Sequence, residues 1–258
     1  MHLFTGIITH NSEILPGVHL LEVQAGQLAR TAQPGQYCML RGSASLATDP
    51  LLRRPLFVAE VEPGRNLCRF LVYIRGRVSH WLAHQQAGMA LDILGPLGHG
   101  WTLRPEVRNL LLLGVDHLLT ALLLLSSHAL ERELSVTLLH HVASADQAYP
   151  AALLPPEIEY QVFVASGESW QKELLPRLSE YLAWADAACC GLSADMLATL
   201  VSAGGRWREQ HFAQVIVERP LMCVTESCLA CQLEVRHRPR LLCRDGPVFA
   251  LRDLVEDW

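Results

Sequence analysis

Four cysteines near the end of the chain, Cys223, Cys228, Cys231 and Cys243, form a C-x4-C-x2-C run followed by eleven residues and a fourth thiol. Sulfur in that pattern binds metal. Three thiolates from one short loop and a fourth from a distance is the ligand spacing of one class of [2Fe-2S] cluster, because a compact loop must supply several sulfurs to two irons. Zinc is the rival, since four thiolates also close a tetrahedral structural site. Zinc ribbons present two C-x2-C knuckles, whereas only Cys228 and Cys231 form such a pair here. The spacing favours the cluster and leaves zinc open.

The scaffold that must hold these thiols is large enough to bury real cores. At 258 residues and 50% hydrophobic, the chain has room for two or three small domains. The balance of 21 Lys and Arg against 26 Asp and Glu leaves no basic stripe, which argues against a nucleic-acid partner. Residues 1–10 contain no basic segment followed by an apolar one, so the expectation is a cytoplasmic protein in a reducing compartment. There the other cysteines, Cys38, Cys68, Cys189 and Cys190, are expected as buried thiols rather than disulfides. The leucine-rich stretch 110–125 is too short to cross a membrane and carries Asp116 and His117 at its centre. A buried strand turning at Gly114 into an apolar helix from about Leu118 suits it better.

Three segments follow from the changing rhythm of the chain. Residues 1–104 show short alternating runs broken by Gly and Pro, which predicts an antiparallel β barrel with strands at 18–23, 37–40, 56–61, 66–74 and 90–94, a short helix at 79–84, and a turn-rich stretch at 95–100. Residues 105–217 alternate apolar runs with helical stretches, which predicts a parallel α/β sheet. Its strands are expected at 110–113, 134–140, 161–165 and, last, 214–218, with helices at 170–183 and 194–203. Residues 218–258 carry the metal-binding cysteines.

Several motifs in order add a resemblance. Pro34-Gly35-Gln36, Leu51-Leu52-Arg53-Arg54-Pro55, Gly95-Pro96-Leu97-Gly98-His99-Gly100, Cys190-Gly191 and Cys243-Arg244-Asp245-Gly246-Pro247-Val248-Phe249 span nearly the whole chain. The set resembles the electron-transfer subunits of class 1B dihydroorotate dehydrogenases, within the ferredoxin-reductase superfamily. The resemblance implies an FAD-binding barrel, a nucleotide-type α/β domain and a small C-terminal [2Fe-2S] segment. It implies FAD held by Arg54, Pro55, Leu56 and Phe57, by Tyr73, and by Gly76, Val78 and Ser79 of a G-x-x-S motif. A guanidinium suits a pyrophosphate, which accepts bidentate donation. It further implies a hetero-oligomer with a flavoprotein dehydrogenase, in pyrimidine biosynthesis, in which electrons pass through the cluster to FAD and on to NAD. No acid, base or nucleophile is then required of this chain: it is an oxidoreductase subunit rather than a complete enzyme.

The residues depart from the family in four places. Phe57 stands where a hydroxyl is usual. The turn after the first α/β strand, Gly114-Val115-Asp116-His117-Leu118, has one Gly and puts a carboxylate where phosphate would lie, which argues against NAD binding. His117 there is a ligand, a proton donor or a structural hydrogen-bonding residue. Cys190-Gly191 is followed by Leu192 rather than Pro. The cysteine loop has no Gly between Cys223 and Cys231, so a left-handed residue at Val224 would be strained, and Glu226 adds negative charge. Both loop changes should lower the potential or the stability of a cluster. The alternative to an electron relay is a non-redox structural or regulatory subunit of the same fold, with a zinc or vestigial metal site.

Overall fold

The computed structural model describes residues 2–44, 47, 49–165 and 169–255. The N-terminal part is one antiparallel sheet; its strand 90–97 alternates between a buried and a wetter face, while the strand 37–40 is buried throughout. It runs β1 (His2–Leu15), β2 (Val18–Gln24), α1 (Gly26–Thr31), β3 (Tyr37–Leu40), β4 (Arg54–Phe57), β5 (Glu60–Glu62), β6 (Leu67–Tyr73), α2 (Arg77–Ala83) and β7 (Ala90–Leu97). The spatial order β4-β3-β7-β1-β2-β6-β5 makes a curled sheet that stays open between β4 and β5, a half-barrel rather than a closed barrel. The strand expected over 56–61 breaks where Val58 and Ala59 turn inward to be buried, and the two pieces end on opposite edges of the sheet. The expected turn at 95–100 is strand as far as Leu97, because Tyr37 pairs with it. The short helix starts at Arg77 rather than 79.

Two of the sequence motifs meet at the sheet's end. The Trp101 N–H donates to the Pro34 carbonyl at 2.9 Å, and Gln36 Nε2 donates to the Gly98 carbonyl at 2.9 Å. Gly35 has φ +85° and lies beneath the Trp101 ring, where a Cβ would come within 2.8 Å of it. The Trp101 indole then donates to the Ala121 carbonyl at 2.9 Å, which ties this sheet to the next.

The second sheet follows with β8 (Asn109–Val115), α3 (Thr120–Glu131), β9 (Ser135–Val142), β10 (Glu159–Val164), α4 (Ser169–Trp184), β11 (Ala187–Gly191), α5 (Ala194–Ala203) and β12 (Ala213–Ile216). Leu111 and Leu113 of β8 join one buried core and Leu110 and Leu112 the other, so the strand reads as an unbroken apolar run because both faces are covered. Helix α3 contributes Ala121, Leu122, Leu123 and Leu125 to the second of these cores, while its Leu124 enters the core of the first sheet. A helix wedged between two sheets is covered on most of its surface, hence the membrane-like leucines, and only its last turn, with His128 and Glu131, meets solvent. Among the described residues no helix is long and apolar enough to cross a membrane.

The tail adds β13 (Gln232–Val235), β14 (Arg238–Leu241), α6 (Leu242–Asp245), β15 (Val248–Ala250) and α7 (Leu251–Val255). Strand β12 stops at Ile216, short of 218, and is not the last of its sheet: β15 pairs antiparallel beside it. The order β10-β9-β8-β11-β12-β15 is parallel apart from that edge. Cys38, Cys68, Cys189 and Cys190 are buried free thiols.

Candidate functional site: a cleft against the cysteine loop

All eight residues expected to hold a flavin line one cavity of about 560 Å³, which Arg54, Pro55, Leu56 and Phe57 enter from β4, Tyr73 from the end of β6, and Gly76, Val78 and Ser79 from the start of α2. That volume lies in the range of ligand clefts, roughly 300–1,000 Å³. The opposite wall comes from the second sheet: His117 and Leu118 after β8, and the chain from Ile216 to Leu221 past β12. The apolar floor includes Leu71, Leu118, Ile216 and Leu242.

The lip of the cleft is cationic. Arg54, Arg75, Arg77 and Arg219 line it beside a single carboxylate, Glu218. Arg77 is spent on a two-pronged pair with Asp49, at 3.0 and 2.6 Å. Arg75 lies 5.9 Å over the Tyr73 ring and 3.4 Å from His117 Nε2. Arg54 donates only to the Arg53 carbonyl, and among the described residues neither it nor Arg219 has a carboxylate partner. Ser79 turns back on its own helix: its Oγ accepts from the Arg75 and Gly76 N–H groups, at 2.9 and 3.1 Å, and donates to the Gly76 carbonyl at 3.0 Å. Burial pushes the Tyr73 phenol up to about 12, so it stays protonated. Apolar walls beneath unpaired guanidinium groups match a molecule with a flat ring at one end and phosphates at the other.

His117 packs edge-on to the Tyr73 ring at 5.9 Å and reaches Glu218 Oε1 at 3.0 Å. A hydrogen bond from His117 holds the Glu218 carboxyl below its usual range, against the opposing pull of burial. Asp116, just before it, has φ +46°. The Asp116 carbonyl accepts from His140 Nε2 at 3.3 Å, while His140 Nδ1 meets the Tyr160 hydroxyl at 2.9 Å. Burial pushes His140 down to about 4 and keeps it neutral at physiological pH. In open α/β sheets, nucleotides bind beyond the strand ends where the order reverses, here between β8 and β11. There the turn packs closely on both strands: a Cβ on Gly114 would come within 2.8 Å of Leu119 Cα, and one on Gly191 within 2.8 Å of the Leu118 carbonyl.

The cysteine loop abuts the cleft's inner end. Leu221, two positions before Cys223, and Leu242, next to Cys243, both line the cavity. N–H groups of Thr225 and Cys228 donate to Cys223 Sγ, the latter at 3.4 Å, and hold that thiol down to about 5. Cys243 is pushed up to about 11, by burial first and then by Cys231 beside it. Val224, Glu226 and Leu229 have φ of +52°, +65° and +55°. The loop thus adopts left-handed turns without glycine, and the strain foreseen at Val224 is present. A salt bridge of 3.1 Å from Arg244 offsets the charge of Glu226. Four thiols and inward amide N–H groups are the donor set an iron-sulfur cluster requires. Among the described residues, no three His, Cys, Asp or Glu side chains converge as they would on one metal ion.

Tyr37, Arg75, Glu218, Arg219, Leu221 and Leu242 belong to this site but escaped the sequence reading. Glu218 and Arg219 had one usable signal, charge directly past the carboxyl end of a parallel strand.

The two sheets and the cleft between them define the ferredoxin-reductase-like fold. The chain superposes on the structure described as "Insights into flavin-based electron bifurcation via the NADH-dependent reduced ferredoxin-NADP oxidoreductase structure" with a TM-score of 0.79 and 20% identity, covering 96% of this chain and 89% of that one. The ferredoxin reductase of carbazole 1,9a-dioxygenase gives a TM-score of 0.62 at 16% identity, over 78% and 64%. No protein-family model matches. In sequence the chain is similar over nearly its full length to the electron transfer subunit of dihydroorotate dehydrogenase B (NAD(+)). The Bacillus cereus (strain Q1) and Bacillus anthracis (strain CDC 684 / NRRL 3495) proteins are each 24% identical over 262 residues, covering 96% of this chain and 97% of theirs.

Proposed function

We propose that the chain is the electron-transfer subunit of a hetero-oligomeric cytoplasmic oxidoreductase, a dihydroorotate dehydrogenase of pyrimidine biosynthesis, with FAD in the cleft and a [2Fe-2S] cluster on Cys223, Cys228, Cys231 and Cys243. One observation carries this reading: Leu221 and Leu242 wall the cleft and stand two residues and one residue from Cys223 and Cys243. Two residues of chain span at most about 7 Å, so the two groups would be neighbours. FAD, when bound, can take up two electrons and pass them singly, and the cluster would carry one at a time, which would make the couple a relay.

This chain's part is positioning. Arg54, with Arg219, would neutralise the pyrophosphate, and Pro55, Leu56, Phe57 and Tyr73 would exclude water from the ring. Residues 1–104 would carry the flavin and residues 218–258 the cluster, with 105–217 as the wall between solvent and flavin. The reading does not place NAD at the turn after β8. The Asp116 carboxylate, where a phosphate would lie, favours a relay that ends on another acceptor.

Anaerobic purification with iron, zinc and flavin analysis tests the proposal. Yellow-brown protein with two irons per flavin is expected, and Cys228→Ser should lose the iron yet keep the flavin. Colourless protein with one zinc would favour a non-redox subunit instead. Rapid bleaching of the flavin by NADH would refute the exclusion of NAD.

A further inference from the structure

Tyr37 is fully buried, yet among the described residues its hydroxyl has no hydrogen-bond partner. A buried hydroxyl left without a partner costs roughly 1–3 kcal/mol, so its position needs a reason. The ring lines the inner end of the cleft, edge-on to Phe57 with centroids 6.4 Å apart. It packs in a small core with Leu221 and Val224, residues of the cysteine loop. Cys243, Cys231, Cys38 and Cys223 all lie within electrostatic reach of the phenol. A phenol, which ordinarily titrates at about 10, is a donor at physiological pH. Among the described residues no acceptor answers it.

On the reading of the four cysteines as a [2Fe-2S] site, we propose that the Tyr37 hydroxyl donates a hydrogen bond to a sulfur of that cluster and raises its reduction potential. The reduced cluster is the more negative, so a donor to sulfur favours reduction. That offsets the negative charge of Glu226. Tyr37 is then a tuning residue on the wall shared by flavin and cluster, touching one and directing its only polar atom at the other.

The test compares the full chain, purified anaerobically, with its Tyr37→Phe variant, which removes one oxygen. Iron and flavin contents should be equal. An electron-paramagnetic-resonance redox titration should show the cluster of the variant harder to reduce by about tenfold, or about 59 mV for a one-electron couple, with the flavin potential unmoved. Site-specific 3-fluorotyrosine, a stronger donor of the same shape, should shift the cluster the opposite way, and it answers the question even if the Phe variant folds poorly. The cofactor-free Phe variant should melt no lower than the parent, because there no bond is lost. An unmoved cluster potential, or a shift in the flavin alone, overturns the hydrogen bond while leaving the cluster standing. Absence of iron from the unaltered chain overturns the cluster itself.

Discussion

His117 Nε2 lies 3.0 Å from Glu218 Oε1 across the wall of the cleft, linking the turn after β8 to the chain past β12. Because the hydrogen bond holds the Glu218 carboxyl below its usual value, it adds stability only while that group is ionised. The contribution is present above the unfolded value of about 4.3 and fades as pH falls through the depressed one. Glu218→Gln should therefore melt lower than the parent near neutral pH, with the gap closing below about pH 4. The side chain is 62% exposed, so after solvent screening the effect is at most about 1 kcal/mol. Thermal melts of both proteins across the pH range measure it; a gap that widens in acid would contradict the assignment.

Arg54 and Arg77 separate two roles for guanidinium at the lip. Among the described residues Arg54 has no carboxylate to satisfy it, whereas Arg77 is paired with Asp49. Arg54→Ala should weaken FAD binding roughly 10- to 100-fold, since a hydrogen bond to a charged group contributes about 1.5–3 kcal/mol. Arg77→Ala should change it severalfold at most. Titration of apoprotein with FAD, followed by quenching of flavin fluorescence, distinguishes them.

Leu229 has φ +55° and is 56% exposed, so it bears the left-handed strain with little packing in return. Leu229→Gly should stabilise the chain by about 1 kcal/mol, which raises the melting temperature by roughly 2–4 °C for a protein near this size.

Gly100 faces the Pro34 carbonyl so closely that a Cβ would overlap it. Gly100→Ala must push apart the junction where Trp101 binds Pro34, at a cost of about 1–3 kcal/mol. A lowered melting temperature with Trp101 fluorescence shifted to the red is expected.

Local chemistry alone placed a good deal of this molecule. The bounds of β3 and α5 and the strand–turn–helix of the leucine-rich run are written in spacing, because a strand or helix repeats its apolar residues at its own period. The ordered motifs marked the eight residues that share the cleft. Tertiary structure decided the rest. That the tail returns β15 to the edge of the second sheet, that 56–61 splits between two sheet edges, and that His117 meets Glu218 from 101 positions away are pairings between distant segments. No periodicity within a segment encodes its partner, so only the folded chain could bring Tyr37 into one core with Leu221 and Val224 of the cysteine loop.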